Sequence, residues 1–196
     1  MALSPQQLAI RMSGVGSSDI PAVCDLLPKA WKNRRGPDDA FAEKMGDVPP
    51  FDGNVATERG DIMEPVIAGV FSQQTGRLAV RNPDTIWHPD ISWAFATPDY
   101  LLEDGTGEIL ECKYVGFRSA SYWKDGPPDY VQAQVQWQLG CLRRTRASVA
   151  AWIEGDKEHV TRAYALNFDP QLFGQLVTIA DAFWRRVLEA RAQRAA

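Results

Sequence analysis

The chain has 196 residues, 45% of them hydrophobic and seven of them tryptophan, enough apolar surface for one core and too much for a disordered chain. Its three cysteines (Cys24, Cys112, Cys141) are widely spaced without a C-x-x-C pair, and no apolar run approaches the roughly 20 residues that span a bilayer. A disulfide framework, a zinc site and a membrane helix are therefore not expected, and the net charge of −4 argues against a nucleic-acid partner only on average, since phosphate binding needs local positive charge.

Met1–Arg11 is short and only mildly apolar, unlike a signal peptide, so a cytoplasmic protein is expected. Ser17, Ser18 or Asp19 is placed to cap a short helix running to about Leu27. Lys29–Asp52 gathers Pro, Gly and charge, including the basic cluster Lys29–Arg35, and reads as an irregular connection with one short helix near Asp39–Met45. Ile62, Met63, Val66, Ile67, Val70 and Phe71 recur at helical spacing and predict a helix ending near Gly76. It should begin close to Asp61, because Pro65 is tolerated only in a first turn.

β-like runs follow at Leu78–Arg81, Ile86–His88, Trp93–Thr97, Tyr100–Leu102 and Glu108–Tyr114, separated by turn signals such as Asn82-Pro83 and Asp104-Gly105. A helix over Asp129–Leu142 carries Val131, Val135, Leu139 and Leu142 in one stripe. A second basic cluster, Arg143, Arg144 and Arg146, leads to strands Ser148–Glu154 and Val160–Asn167 about a turn at Gly155-Asp156. Asp169 and Pro170 read as N-cap and first residue of a last helix with Leu172, Leu176, Ile179, Phe183 and Val187 on one face. No repeat or linker divides the chain. A single domain, 1–196, of α/β (α+β) class is expected, with a central mixed sheet flanked by helices.

Chemistry concentrates at Thr97-Pro98-Asp99-Tyr100 and Glu108-Ile109-Leu110-Glu111-Cys112-Lys113. Residues two apart on a strand share a face, so Glu111 and Lys113 stand side by side while Cys112 points away and its carbonyl stays near them. If Asp99 ends a paired strand, its carboxylate approaches Glu111. Two carboxylates and a carbonyl are hard oxygen donors that suit Mg²⁺ or Mn²⁺. An adjacent ammonium can orient a water or stabilise charge on a phosphate, or serve as general base if its pKa is lowered. A Glu–Lys pair on the solvent face of a hairpin would show the same tripeptide. His88 and His159 have no partner at metal or triad spacing and read as structural or surface residues. Trp87, Trp93, Trp123, Trp137 and Trp152 read as core or rim packing, with Trp123 the candidate for base stacking because it lies in the polar loop Arg118–Asp129.

Further motifs fall in a distinctive order. They are Arg11-x-x-Gly14-x-Gly16-Ser17-Ser18-Asp19, Gly60-x-x-x-Glu64-Pro65, Thr97-Pro98-Asp99, Glu111-Cys112-Lys113 and Gln134-Val135-Gln136-x-Gln138-Leu139. In that order they resemble the lambda-exonuclease/YqaJ family of PD-(D/E)XK recombination nucleases from about Arg11 to Leu142. The sequence departs from the family pattern at Tyr130, which stands four rather than three residues before Gln134, and at Arg59, which replaces an aromatic.

The resemblance implies a restriction-endonuclease-like core in which Asp99, Glu111, the Cys112 carbonyl and Glu64 hold two Mg²⁺ ions, with Mn²⁺ able to substitute. It implies Lys113 as catalytic lysine, Gln134 as an active-site helper, and Arg11 with Ser17 and Ser18 as the receptor of a DNA 5′-phosphate. Guanidinium and a helix N-terminus are suited to such a phosphate. It further implies a 5′→3′ exonuclease on double-stranded DNA ends, a ring-shaped homotrimer, a single-strand annealing partner, and a phage or prophage origin. A restriction-type endonuclease and a non-catalytic DNA-end-binding protein are the competing readings.

Overall fold

The computed structural model describes residues 5–31, 35–49 and 53–196. Residues 32–34 of the basic cluster Lys29–Arg35 lie outside these, while Arg35 pairs with Glu43 at 2.7 Å. Helix α1 (Pro5–Met12), strand β1 (Val15–Gly16), the short α2 (Ile20–Val23) and α3 (Pro37–Met45) precede the long α4 (Val55–Thr75). Strands β2 (Ala79–Arg81), β3 (Ile86–Trp87), β4 (Ala94–Ala96), β5 (Tyr100–Leu102) and β6 (Ile109–Val115) lead through a 3-10 helix (Phe117–Trp123) to α5 (Asp129–Leu142). Strands β7 (Arg146–Ile153) and β8 (Arg162–Asn167) and helix α6 (Pro170–Ala195) complete the order.

Two mixed sheets carry the fold. The larger has the order β2-β5-β6-β7-β8, with β6 and β7 parallel and the other pairs antiparallel; the smaller, β1-β4-β3, pairs β1 parallel to β4. Parallel neighbours need a crossover, and α5 provides it. An inner parallel strand is covered on both faces, which explains the run Ala147–Ala151 in β7. Alternation along β6 sends Leu110 and Cys112 toward Ile67, Ala68 and Phe71 of α4, and Ile109 and Val115 toward Val131, Val135 and Leu139 of α5. On its other side α5 sends Ala133, Trp137 and Cys141 into a cluster with α2 and α6. A side chain on Gly140 would put its Cβ 2.1 Å from the Phe173 ring, so glycine sets the α5–α6 distance.

Several expectations are corrected. Helix α4 starts at Val55, not near Asp61, because the Asn54 side chain caps it by accepting from the N–H groups of Ala56 and Thr57. Pro65 therefore stands in the helix interior, on an exposed face. Trp123 is 2% exposed and packs beside Tyr164, so it is a core residue and not a stacking platform. Ile179 of α6 is 44% exposed; Ala180 and Trp184 take its place in the core. Strand β8 begins two residues late, since Asp156 holds Glu158 and His159 in a turn through their backbone N–H groups. Gln136 is buried as well, donating to the Asn167 carbonyl (2.8 Å) and accepting from Asp169 N–H (2.8 Å), which ties α5 to the start of α6.

Asp19 does not cap α2 with its side chain. Its carboxylate turns back to accept from Gly16 N–H (3.0 Å) and pairs with Lys44 of α3 at 2.7 Å, while Arg11 stands 3.8 Å away. Lys44 also donates to the Arg11 carbonyl, and Arg191 of α6 donates to the Met12 carbonyl at 2.9 Å. Burial would push the Asp19 carboxyl up, but Lys44 and Arg11 outweigh it and hold it below its ordinary range.

Two predictions follow from these ties. Asp19 binds its proton more weakly in the folded state, so its contribution to stability is present above about pH 4 and lost as pH falls through the lowered folded value. Asp19→Asn should be less stable than wild type at pH 7, with the difference shrinking in urea titrations below about pH 4; a pH-independent difference would exclude the charge as its cause. Gln136→Leu removes the part-buried hydrogen bonds to the Asn167 carbonyl and from the Asp169 N–H and should cost about 0.5–1.5 kcal/mol for each bond by the same titration at neutral pH.

Candidate active site

The cleft lies where the two sheets part. Strand β4 belongs to the small sheet and β5 to the large one, and Thr97-Pro98-Asp99 is the crossing between them. Asn82 pins this crossing: its backbone N–H donates to the Asp99 carbonyl (2.9 Å) and its side chain to the Pro98 carbonyl (3.2 Å). Tyr100 pairs with Leu110, so the next step of the antiparallel register sets Asp99 opposite Glu111. Oδ2 of Asp99 accepts from the Cys112 N–H at 2.8 Å.

Glu111 is 1% exposed. Its Oε1 accepts from Lys113 Nζ (2.6 Å) and from Gln134 Nε2 (2.7 Å), and its Oε2 from Gln138 Nε2 (2.7 Å). Gln134 closes the circuit by accepting from Lys113 through Oε1 at 3.0 Å. Gln134 and Gln138 are one helical turn apart on α5 and so present the same face to β6. Gln138 stood in the sequence as part of the glutamine motif, and its bond to Glu111 had no sequence signal, because the register between α5 and β6 is tertiary.

Glu64 approaches from α4 on the opposite face of the sheet, 3.7 Å from the exposed Arg81 and beside Tyr100. A cleft of about 410 Å³ is lined by Glu64, Asp99, Glu111, Cys112, Lys113 and Gln134, and also by Ser17 and Ser18 of the N-terminal loop. Thr57, Asp61 and Tyr114 line it without having been singled out in the sequence. Arg11 is not among the lining residues; it stands at the end of α1, against Asp19. The loop comes close because β1 runs beside β4, and a Cβ on Gly14 would lie 2.1 Å from the Trp93 carbonyl oxygen.

Charge in the cleft is unbalanced toward the negative. Burial raises Asp99 well above its ordinary value, and Glu111 adds to the rise more than Lys113 opposes it. Glu64 is likewise raised, by burial and by Glu111 against the opposing pull of Arg81. Burial works against charge on Lys113, yet Glu111 and Asp99 outweigh it and raise its pKa, which favours the ammonium. The donor set is all oxygen, and the uncompensated negative charge is what a hard divalent cation would complete. Glu64, Asp99 and Glu111 do not bring their oxygens as close together as 4.8 Å in one group, a spread compatible with a cation that keeps several of its waters.

The tightest cluster of metal-ligating types among the described residues is elsewhere. Asp156, Glu158 and His159 have ligand atoms within 4.8 Å of one another, so His159 does have a partner, Asp156 at 3.6 Å. The Asp156 oxygens are already taken by Arg162 and two backbone N–H groups, and the turn is explained without an ion. His88 accepts from the Asp90 and Ile91 N–H groups and stacks on Phe173, a structural role.

Comparison with known proteins accords with this arrangement. Residues 6–148 match the model of the YqaJ-like viral recombinase domain. An uncharacterized protein YqaJ of Bacillus subtilis (strain 168) is 30% identical over 152 residues, covering 75% of this chain, and the chain spans 46% of that relative's length. Among solved structures, an alkaline exonuclease (LHK-Exo) from Laribacter hongkongensis superposes with a TM-score of 0.76 at 20% identity, over 98% of this chain and 100% of its own. A phage related exonuclease from Haemophilus somnus 129PT gives 0.65 at 12% identity, over 91% and 96%. These two likenesses concern the fold, a mixed α/β architecture shared with the alkaline exonuclease. The family match spans the N-terminal loop, the acidic crossing, the Glu111–Lys113 strand and the glutamine helix, and on it the chain belongs to the family of YqaJ-like viral recombinase domains.

Proposed function

We propose that this chain is a metal-dependent nuclease of the PD-(D/E)XK type, an exonuclease that degrades one strand of double-stranded DNA 5′→3′ from its end and leaves a 3′ overhang for recombination by strand annealing. The observation that carries the reading is the hydrogen-bonded circuit of the buried Glu111 with the half-buried Lys113 and Gln134, sharing one cleft with Asp99 and Glu64. The polarity is supported by the family resemblance and by the placement of Ser17 and Ser18 in that cleft.

In this reading Asp99, Glu111, Glu64 and the Cys112 carbonyl would hold the divalent cations, two Mg²⁺ with Mn²⁺ able to substitute. When bound, such ions would supply positive charge where negative charge develops on the phosphate being attacked. Lys113, held as an ammonium, donates to a phosphate oxygen or to the attacking water. Gln134 keeps that ammonium aimed by accepting one of its protons while donating to Glu111. Ser17 and Ser18 receive the terminal 5′-phosphate, and Arg11 reaches it by swinging from its distant contact with Asp19, whose charge Lys44 already balances. A ring of three copies would reconcile the net charge of −4 with DNA, since only the channel then needs to be positive. An annealing protein that loads on the exposed strand is the partner this product implies. No helix among the described residues is long and apolar enough to cross a membrane.

The test uses linear duplex DNA, 5′-phosphorylated at one end and labelled at each 3′ terminus, with Mg²⁺ or with chelator. The phosphorylated strand should disappear only with metal, Lys113→Ala should slow this by about 10²–10³-fold, and Arg11→Ala should remove the preference for the phosphorylated end. Internal cuts in closed circular DNA would replace the exonuclease with an endonuclease. No degradation with any divalent metal would leave an end-binding protein.

A further inference from the structure

Glu111 is held from two sides that differ in kind. The donors to Oε1, Lys113 and Gln134, both line the cleft. The donor to Oε2 is Gln138, which is 0% exposed and does not line the cleft. The carboxylate plane is therefore fixed with one oxygen toward the cleft and the other toward the core.

The other end of the Gln138 amide gives a second observation. Its Oε1 is buried and has no hydrogen-bond partner. A buried acceptor left unpaired is costly, and turning the amide over would not relieve it here. The flip would set the amide oxygen against Oε2 of Glu111, two acceptors with no proton between them. The orientation is dictated by the carboxylate, and the orphan oxygen is the consequence. A side chain present only to fill the core at this point would be better as leucine or methionine, which carry no polar atom to leave unpaired.

We propose that Gln138 is a positioning residue of the candidate metal site: from the core side it fixes the Glu111 carboxylate so that Oε1, the oxygen shared with Lys113 and Gln134, is presented to the cleft where a divalent cation is held. The inference rests on the metal-dependent reading of that cleft. Gln138 touches neither substrate nor ion and acts through Glu111 alone. Its amide is neutral, so it orients the carboxylate without cancelling the charge that draws the cation, which a second lysine in its place would do.

The experiment measures Mn²⁺ binding to the full chain by electron paramagnetic resonance of free Mn²⁺ without DNA, together with thermal midpoints and DNA-degradation kinetics. Two variants are compared with wild type. Gln138→Met keeps the volume and removes both polar ends, and Gln138→Asn keeps the amide but withdraws it by one methylene from Glu111. Partners behind a metal ligand typically govern affinity by 10–100-fold, so both variants should weaken Mn²⁺ binding by about that factor. The change should appear in kcat and in the metal concentration for half-maximal rate, with KM for DNA within about twofold. The thermal midpoint of Gln138→Met should fall less than the lost bond to Oε2 of Glu111 alone would cause, since removal of the orphan acceptor offsets part of it. Either variant, folded and with wild-type Mn²⁺ affinity, overturns the inference even if wild type degrades DNA. Gln138-dependent Mn²⁺ binding without any degradation upholds it and removes the proposed activity instead.

Discussion

A carboxylate buried in the central strand of a sheet is expensive unless its oxygens are hydrogen-bonded, and Glu111 in β6 is such a group. Much of the surrounding architecture answers to it. The crossover helix α5 must lie on the Glu111 face of the sheet in a register that delivers two amides one turn apart, and Lys113 must follow two residues later on the same strand. The parallel β6–β7 pair holds this strand straight over its whole length, from Ile109↔Ala147 to Val115↔Ile153. Apolar residues above and below the polar circuit, Ile109 and Val115 on β6 with Val131, Val135 and Leu139 on α5, keep that register from slipping.

The second constraint is that the sheets must part beside Glu111 and nowhere else. Asp99 reaches it because the chain leaves β4 of one sheet and enters β5 of the other at that point, and Asn82 clamps the crossing on both of its carbonyls. The N-terminal loop joins the cleft through a short parallel pairing with β4, an approach that a side chain at Gly14 would block. The Asp19–Lys44 pair then locks the loop from behind, linking α1, α2 and α3, while Arg191 adds α6. Ser17 and Ser18 thus share a cleft with residues some eighty to a hundred positions away without being buried as deeply as Glu111.

What the sequence made legible divides along the line between local and tertiary cause. Helix α5 matched its apolar stripe and α6 its Asp169–Pro170 start, because caps and periodicity act within a few residues. The start of α4 was misplaced, because a proline was weighed more heavily than the Asn54 cap upstream of it. Trp123 looked exposed from its polar neighbours, yet one side chain in a loop can be core while those beside it are solvated. The residues proposed for chemistry could be read from motif order, and the structure gathers Glu64, Asp99, Glu111, Lys113, Gln134, Ser17 and Ser18 around one cleft while leaving Arg11 behind it. Gln138, Lys44 and Asn82 escaped because each works by contacting a residue far away in sequence, and nothing in their own neighbourhoods reveals the partner.

The distribution of acidic pKa shifts separates the cleft from the rest of the surface. Elsewhere among the described residues, each clearly perturbed carboxylate is lowered, and each time a partner can be named: Asp19 by Lys44, Asp47 by Arg194, Asp104 and Glu108 by Arg77, Glu154 by Tyr114, Asp156 by Arg162. Among the described residues only Glu64 and Asp99 go the other way, raised by burial and, with Arg81 opposing at Glu64 and Lys113 at Asp99, by Glu111. These two face the same cleft, and at neither does a partner within the chain offset its burial. Stability alone would favour an arginine there, as at Glu108, or an apolar replacement. Lys113 and the exposed Arg81, 3.7 Å from Glu64, are two cations against three carboxylates, and that deficit of positive charge is the strongest physical reason to read the cleft as a place for divalent cations.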